Sequence, residues 1–217
     1  STDEEKAEVL NNFFSSVFTN ESLNDMPNLP AGSKSDGIFL NDVVITPLAV
    51  EVKLKLLDPN KAQGPDKIPT RVLKELSCQL ARPLANLFNA SISTGIVPED
   101  WRTAEVTAIF KKGTRSDPGN YRPVSLTSVV CKILESIVRD CMVDFFEQNN
   151  LYTSCQHGFR RKRSCMSQLL EVMEELSALI EDSSPVDVIY LDFRKAFDTV
   201  PHERLLVKLE AYGIVGN

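Results

Sequence analysis

The sequence predicts an α+β fold that is rich in helices and contains one small antiparallel sheet. Apolar residues recur at helical spacing in six segments of the 217-residue chain. Residues 104–110 and 121–126 alternate apolar and polar side chains around a basic turn, which is typical of a β-hairpin. Residues 186–191 form a β-branched and aromatic run, which predicts a further strand in a sheet.

The composition favours one large domain or two small ones with an apolar core. No run of about 18 apolar residues occurs and no secretory signal is visible, so we expect no membrane span and an intracellular location, the nucleus or the cytoplasm. The five cysteines form no CxxC or Cys/His cluster, which argues against zinc and favours a reducing compartment.

The charge is unevenly distributed. The net charge of −6 argues at first against a nucleic-acid binder, but residues 101–163 carry 11 Lys and Arg against 6 Asp and Glu. Local field rather than net charge decides where a phosphate binds. The basic segment therefore either contacts nucleic acid or forms a solvated basic face.

The N-terminal part begins with a capping box at residues 2–5 and an amphipathic helix of about 16 residues. We expect the aromatic face of this helix to pack in the core. Residues 19–41 are predicted to be a flexible connector and residues 43–45 a short strand, followed by a helix from Pro47 to about Leu57.

A loop dense in glycine and proline follows at residues 61–69. The next helix is expected from Thr70 to about Ser93, broken near residues 78–83, with Gly95 at its C-cap. Further helices are predicted over residues 127–148, 164–180 and 201–212.

Three groups of residues point to chemistry. Lys111 and Arg122, on the paired strands of the hairpin, could converge on one triphosphate, or they could be a charged edge that prevents aggregation. Four cations at residues 160–163 suit a nucleic-acid backbone or a solvated loop. Asp192 follows the apolar run. It either belongs to a site that binds a metal ion or a phosphate, or is a solvated residue at the start of the next loop.

The string at residues 191–202, LDFRKAFDTVPH, closely resembles the first palm motif of reverse transcriptases from non-LTR (LINE-type, jockey- and chicken-repeat-like) retrotransposons. Residues 61–69, 110–126 and 156–165 resemble further strings of the family, in the same order. The resemblance implies the fingers and first palm strand of a right-hand polymerase, with an incomplete palm and no thumb. It divides the chain into an N-terminal helical extension and linker (1–59), fingers (60–185) and the start of the palm (186–217).

The resemblance also implies roles for individual residues. Asp192 would be catalytic and, with Phe193, would form the Mg²⁺ site, while Lys111 and Arg122 would bind the triphosphate and Phe197 would lie under the sugar and select deoxynucleotides. The implied partners are an RNA template, a DNA primer and a dNTP. The residues implied to contact nucleic acid are Lys112, Arg115, Arg160, Arg161, Lys162 and Arg163.

The sequence departs from the family pattern at Lys67 and Lys162, where glycine is usual, and at Phe110, where proline is usual. It also contains no aromatic-x-Asp-Asp string. Because Asp192 alone cannot hold two metal ions, we expect the isolated chain to be inactive. Because the predicted palm strand would lack neighbouring strands, we also expect the chain to be marginally stable or dependent on a partner. Two hypotheses follow: an RNA-directed DNA polymerase fragment, or a catalytically dead relic or co-opted module that binds nucleic acid or protein.

Overall fold

A computed structural model describes residues 2–40 and 42–216 and contains seven α-helices and two β-strands within them. Short 3₁₀ turns lie between several of these elements. The helices are α1 (Asp3–Ser15), α2 (Pro47–Lys55), α3 (Thr70–Glu75), α4 (Ser77–Thr94), α5 (Val129–Gln148), α6 (Cys165–Glu181) and α7 (His202–Ala211). The strands are β1 (Ala104–Phe110) and β2 (Tyr121–Thr127).

The two strands form the predicted hairpin. They pair antiparallel, with Ala104 opposite Thr127 at one end and Phe110 opposite Tyr121 at the other. The α+β class, helix-rich with a small antiparallel sheet, is confirmed. None of the helices in the described ranges has the length and apolarity needed to cross a membrane.

The hydrophobic core lies among α2, α3, α4 and α5. Phe88 is fully buried at its centre and meets the Trp101 ring edge-on, with 5.7 Å between the ring centroids. Burying aliphatic and aromatic side chains in this way stabilises each by about 1.5–3 kcal/mol relative to exposure. The other buried members of this cluster are Ile45, Val50, Leu54, Leu73, Ala85, Val129, Val130, Ile133, Leu134 and Ile137.

The helices begin and end mostly where the sequence signals indicate. Thr2 and Glu5 form the predicted capping box, and the Thr46 hydroxyl accepts a hydrogen bond from the Ala49 amide at 3.2 Å. Gly95 ends α4 with a left-handed φ of 68°. The cap of α5 is Ser128 rather than the predicted Thr127.

The loop of residues 61–69 packs against the start of α5. A Cβ built on Gly64 would lie 2.6 Å from the Thr127 carbonyl oxygen, so only glycine fits at this approach. Lys67 adopts φ 55°, in the left-handed region that glycine favours. The loop therefore keeps a glycine-like backbone with a lysine side chain.

Two local predictions are wrong. The helix break falls at Leu76, where ψ is 21°, and not at residues 78–83. Pro83 lies inside the 18-residue helix α4. Its missing N–H removes one helical hydrogen bond, and the packing of α4 in the core offsets this loss. Residues 43–45 form no strand within the described chain; Ile45 is instead held by Asn89, whose side-chain amide exchanges two hydrogen bonds with the Ile45 backbone.

The predicted strand at residues 186–191 is absent from the described structure. These residues belong to no helix or strand, and Tyr190 is 91% exposed. A strand is stable only when a neighbour satisfies its backbone hydrogen bonds, and no described strand lies beside this segment.

The apolar face of α6 is likewise uncovered. The helix is amphipathic in sequence, but none of the α6 residues in the structure is buried. The periodicity correctly predicted the helix, but much of its apolar side is exposed to solvent. Its exposed apolar residues include Met166, Leu169, Leu170, Met173 and Ile180.

The N-terminal part also differs from the expectation. No residue of α1 is buried, so its aromatic face does not pack in the core as predicted. Residues 19–40 are not a free connector: amides of Gly32, Lys34 and Leu40 donate to backbone carbonyls at residues 210–213. The connector prediction extended to Asn41, which lies outside the described residues.

Candidate functional site

A cleft of about 1290 Å³ lies between α1, the β1–β2 hairpin and the loop of residues 192–198. These three segments are far apart in sequence. They bring Lys111, Arg122, Asp192, Phe193 and Phe197 to the border of one cavity. This grouping was implied by the resemblance, and we call the cavity the hairpin cleft.

The hairpin positions the two cations. Phe110 and Tyr121 are opposite each other in the hairpin. Lys111 follows Phe110 and Arg122 follows Tyr121, so both cations lie next to this residue pair. The Lys111 amide donates to the Asn120 carbonyl at 2.8 Å, which extends the ladder by one bond. Both side chains are exposed, and no ion pair engages either of them among the described residues.

The tip of the hairpin is held by its own side chains. The Arg115 guanidinium lies 4.8 Å from the centroid of the Phe110 ring, and the Tyr121 hydroxyl donates to the Arg115 carbonyl at 2.9 Å. The Asn120 side chain donates to the Thr114 carbonyl at 3.0 Å. Lys112, at the same tip, is exposed. The tip is therefore a rigid basic turn.

The loop after residue 191 supplies the other side of the cleft. Asp192 is exposed, so the desolvation cost of a buried carboxylate does not arise. Lys195 adopts φ 51°, and its carbonyl accepts hydrogen bonds from the Asp198 and Thr199 amides at 3.0 and 3.1 Å. This turn aims the 192–198 segment at the hairpin.

The carboxylates near the cleft do not form a complete metal centre. Within residues 2–40 and 42–216, no group of three His, Cys, Asp or Glu side chains is placed to hold a metal ion. Asp192 is one carboxylate, fewer than a two-metal phosphoryl-transfer site requires.

Residues 158–163, between α5 and α6, form a loop that we call the basic loop. Its arginines are paired with acids of these two helices. Arg160 makes two hydrogen bonds to Glu147, at 3.1 and 3.2 Å, and its guanidinium holds the Glu147 pKa below its usual value. Arg161 pairs with Asp144, and Arg163 lies 3.6 Å from Glu171. Each of these side chains keeps some exposed surface, and Lys162 has no acidic partner in the described chain.

Sequence reasoning missed the role of His157, which is buried beneath this loop. Its Nδ1 lies 2.8 Å from the Ser167 hydroxyl and its Nε2 lies 2.5 Å from the Glu171 carboxylate. His157 therefore ties the basic loop to the first turns of α6. Its partners lie 10 and 14 residues away in sequence, and no short pattern predicts them.

The contribution of α1 to the cleft was also missed. Asp3, Lys6 and Phe13 border the cavity, and the Lys195 ammonium lies 4.3 Å from the centroid of the Phe13 ring. The aromatic spacing in α1 predicted an apolar face but not what it faces.

Comparison with known proteins shows the family of the chain. Residues 109–217 match the family model described as "Reverse transcriptase (RNA-dependent DNA polymerase)". The chain therefore belongs to the reverse transcriptase family, in the group encoded by non-LTR retrotransposons.

Three similar proteins come from Drosophila melanogaster. The chain is 28% identical over 170 residues to a "Probable RNA-directed DNA polymerase from transposon BS", covering 76% of the chain and 19% of that protein. It is 30% identical to the corresponding X-element protein, covering 70% and 17%, and 31% identical to the RNA-directed DNA polymerase from mobile element jockey, covering 68% and 16%. The chain thus spans less than a fifth of the length of these relatives. The alternative of a relic or co-opted binding module is not favoured.

Proposed function

We propose that this chain forms the fingers and the start of the palm of an RNA-directed DNA polymerase, and that the hairpin cleft binds the incoming dNTP. The observation that supports this most is the meeting of Lys111, Arg122 and the 192–198 loop around one cavity. No described hydrogen bond or ion pair joins the side chains of Lys111, Arg122 and Asp192, so all three are open to a shared ligand.

Each side chain suits one part of a nucleotide. The planar guanidinium of Arg122 can make two hydrogen bonds to one phosphate. The ammonium of Lys111, on a flexible side chain, can place a single positive charge beside it. Phe197 presents a ring that would lie against the sugar and exclude a 2′-hydroxyl. Asp192, with Phe193, would supply part of a Mg²⁺ site, whose ion would neutralise phosphate charge; further carboxylates would be needed for complete two-metal catalysis.

The template and primer would run along the basic surface beside this cleft. Lys112, Arg115 and Lys162 have no acidic partner in the described chain. Arg161 and Arg163 are in exposed ion pairs, which contribute only about 0–1 kcal/mol, so a phosphate can displace the carboxylate. Arg160 is held by two hydrogen bonds to Glu147 and would contact a phosphate only through its remaining exposed surface. An intracellular location, nuclear or cytoplasmic, is part of the same proposal.

The proposal predicts that Arg122→Ala weakens dATP binding to the 217-residue chain. Hydrogen bonds to charged groups contribute about 1.5–3 kcal/mol each, so the dissociation constant measured by titration calorimetry with Mg²⁺ should rise by at least about tenfold. Lys111→Ala should have a smaller effect, because a lysine makes a point contact rather than a bidentate one.

Arg71→Ala is the matched control, because Arg71 is exposed and does not border the cleft. An equal loss of affinity in the two arginine variants would mean that only general positive charge attracts the nucleotide. That result, or unchanged binding in Arg122→Ala, would contradict a specific triphosphate site.

A further inference from the structure

The ring of Phe197, the proposed sugar gate, has little support from its own surroundings. It borders the hairpin cleft and is 82% exposed. A side chain this exposed can rotate between rotamers, and a rotating ring would exclude a 2′-hydroxyl poorly.

One aromatic side chain contacts the Phe197 ring. Phe159, in the basic loop, meets Phe197 edge-on, with 6.4 Å between ring centroids and an angle of 90° between the ring planes. This T-shaped arrangement is the favoured geometry for two aromatic rings. It joins two loops that are 38 residues apart in sequence.

The backbone at Phe159 indicates that this placement is costly. Phe159 adopts φ 61°, a left-handed conformation that a bulky residue rarely occupies, and its side chain is 93% exposed. An exposed aromatic ring on a strained backbone contributes little to folding. Strain of this kind tends to occur where a side chain has a functional placement.

Phe159 is not among the residues that border the cleft, whereas Phe197 is. Phe159 therefore contacts a residue that borders the cleft without bordering the cleft itself.

We propose that Phe159 is a positioning residue for sugar selection, which holds the Phe197 ring in the orientation that rejects a 2′-hydroxyl. This inference rests on the proposed function of the hairpin cleft. It concerns the ratio of ribonucleotide to deoxyribonucleotide binding and not the overall affinity.

The experiment compares dATP and ATP, which share base and triphosphate and differ at the 2′-hydroxyl. Their dissociation constants are measured with Mg²⁺ for the unchanged chain, Phe197→Ala, Phe159→Ala and Phe159→Tyr. We expect the unchanged chain to prefer dATP and Phe197→Ala to lose that preference. Phe159→Ala should reduce the preference at least about threefold with dATP affinity nearly constant, while Phe159→Tyr, which keeps a ring, should retain it.

The outcomes separate the two proposals. If Phe197→Ala loses the preference and Phe159→Ala retains it, the role of Phe159 is wrong and the nucleotide site stands. An equal weakening of both nucleotides in Phe159→Ala indicates a structural role only and also overturns the inference. If the unchanged chain binds no dATP, or does not distinguish dATP from ATP, the proposed function fails and the inference fails with it.

Discussion

Single residues show how family patterns tolerate substitution. At Lys67 and Lys162 lysine stands where the family usually has glycine, and both adopt positive φ, 55° and 59°. The chain therefore adopts a glycine-like backbone at these lysines, and the contact of Cβ with the backbone carbonyl makes it strained. The sequence predicted this conflict but not its resolution, because the conformation depends on the packing of the whole loop.

Lys162→Gly is expected to stabilise the chain. Relief of the left-handed strain should raise the free energy of unfolding by about 1–2 kcal/mol. The added flexibility of the unfolded chain should lower it by about 0.5–1 kcal/mol. The net free energy of unfolding, measured in urea, should therefore rise by about 0.5–1 kcal/mol. The matched control is Lys112→Gly, an exposed loop lysine that is not at positive φ, where only the flexibility term acts and stability should fall. Destabilisation by both glycines would show that Lys162 is not strained.

The identities of the site residues were largely predictable and their surroundings were not. Short strings marked Lys111, Arg122, Asp192 and Phe197, and all four border one cleft. The acids that pair with the basic loop lie on α5 and α6, and Glu147 is 13 residues from Arg160. Contacts at such separations leave no periodic signal, so sequence alone predicted free cations.

At the level of elements, the helices followed from caps and periodicity, whereas the strand at residues 186–191 did not form. Helical hydrogen bonds are local, so a segment of suitable sequence satisfies them alone. A strand needs a partner, and the apolar pattern at residues 186–191 carries no information about whether one is present.

One element is capped from a distant part of the chain. The Glu21 carboxylate accepts hydrogen bonds from the Glu203 and Arg204 amides, at 3.0 and 3.1 Å, and lies 3.4 Å from the Arg204 side chain. It thus satisfies two of the free N–H groups at the start of α7 and places negative charge at the positive end of the helix dipole.

Glu21→Ala should therefore lower the free energy of unfolding by about 1–2 kcal/mol, as loss of a strong helix cap does. Glu21→Gln should have a smaller effect, since the amide oxygen still accepts one bond. Glu175→Ala, on the exposed surface of α6, serves as the control in the same urea titration. Equal stabilities of the Glu21 and Glu175 variants would mean that Glu21 does not cap α7.

At the scale of the whole molecule, the two ends of the chain are joined. Residues 19–40 run along α7 through backbone bonds such as Lys34 N–H to the Ala211 carbonyl, at 2.7 Å. A Cβ on Gly213 would lie 2.2 Å from the Ile38 carbonyl oxygen, so this approach requires glycine. The polar composition of this segment predicted a flexible connector. The prediction was wrong because docking through backbone hydrogen bonds needs no apolar side chains and leaves no signal in the composition.

The same N-terminal part of the chain supplies α1, which borders the hairpin cleft, and the Thr19 hydroxyl donates to the Thr199 carbonyl next to the 192–198 loop, at 3.1 Å. Segments from distant parts of the chain therefore border the cleft. The central claim is that the hairpin and the 192–198 loop, distant in sequence, bind one nucleotide together.

Hydrogen–deuterium exchange of the 217-residue chain with and without dATP and Mg²⁺ tests this claim most directly. We expect peptides covering residues 104–127 and 192–199 to gain protection together, at the same nucleotide concentration, while peptides of α4 remain unchanged as an internal reference. Protection of only one of the two segments, or of neither, would contradict a shared nucleotide site.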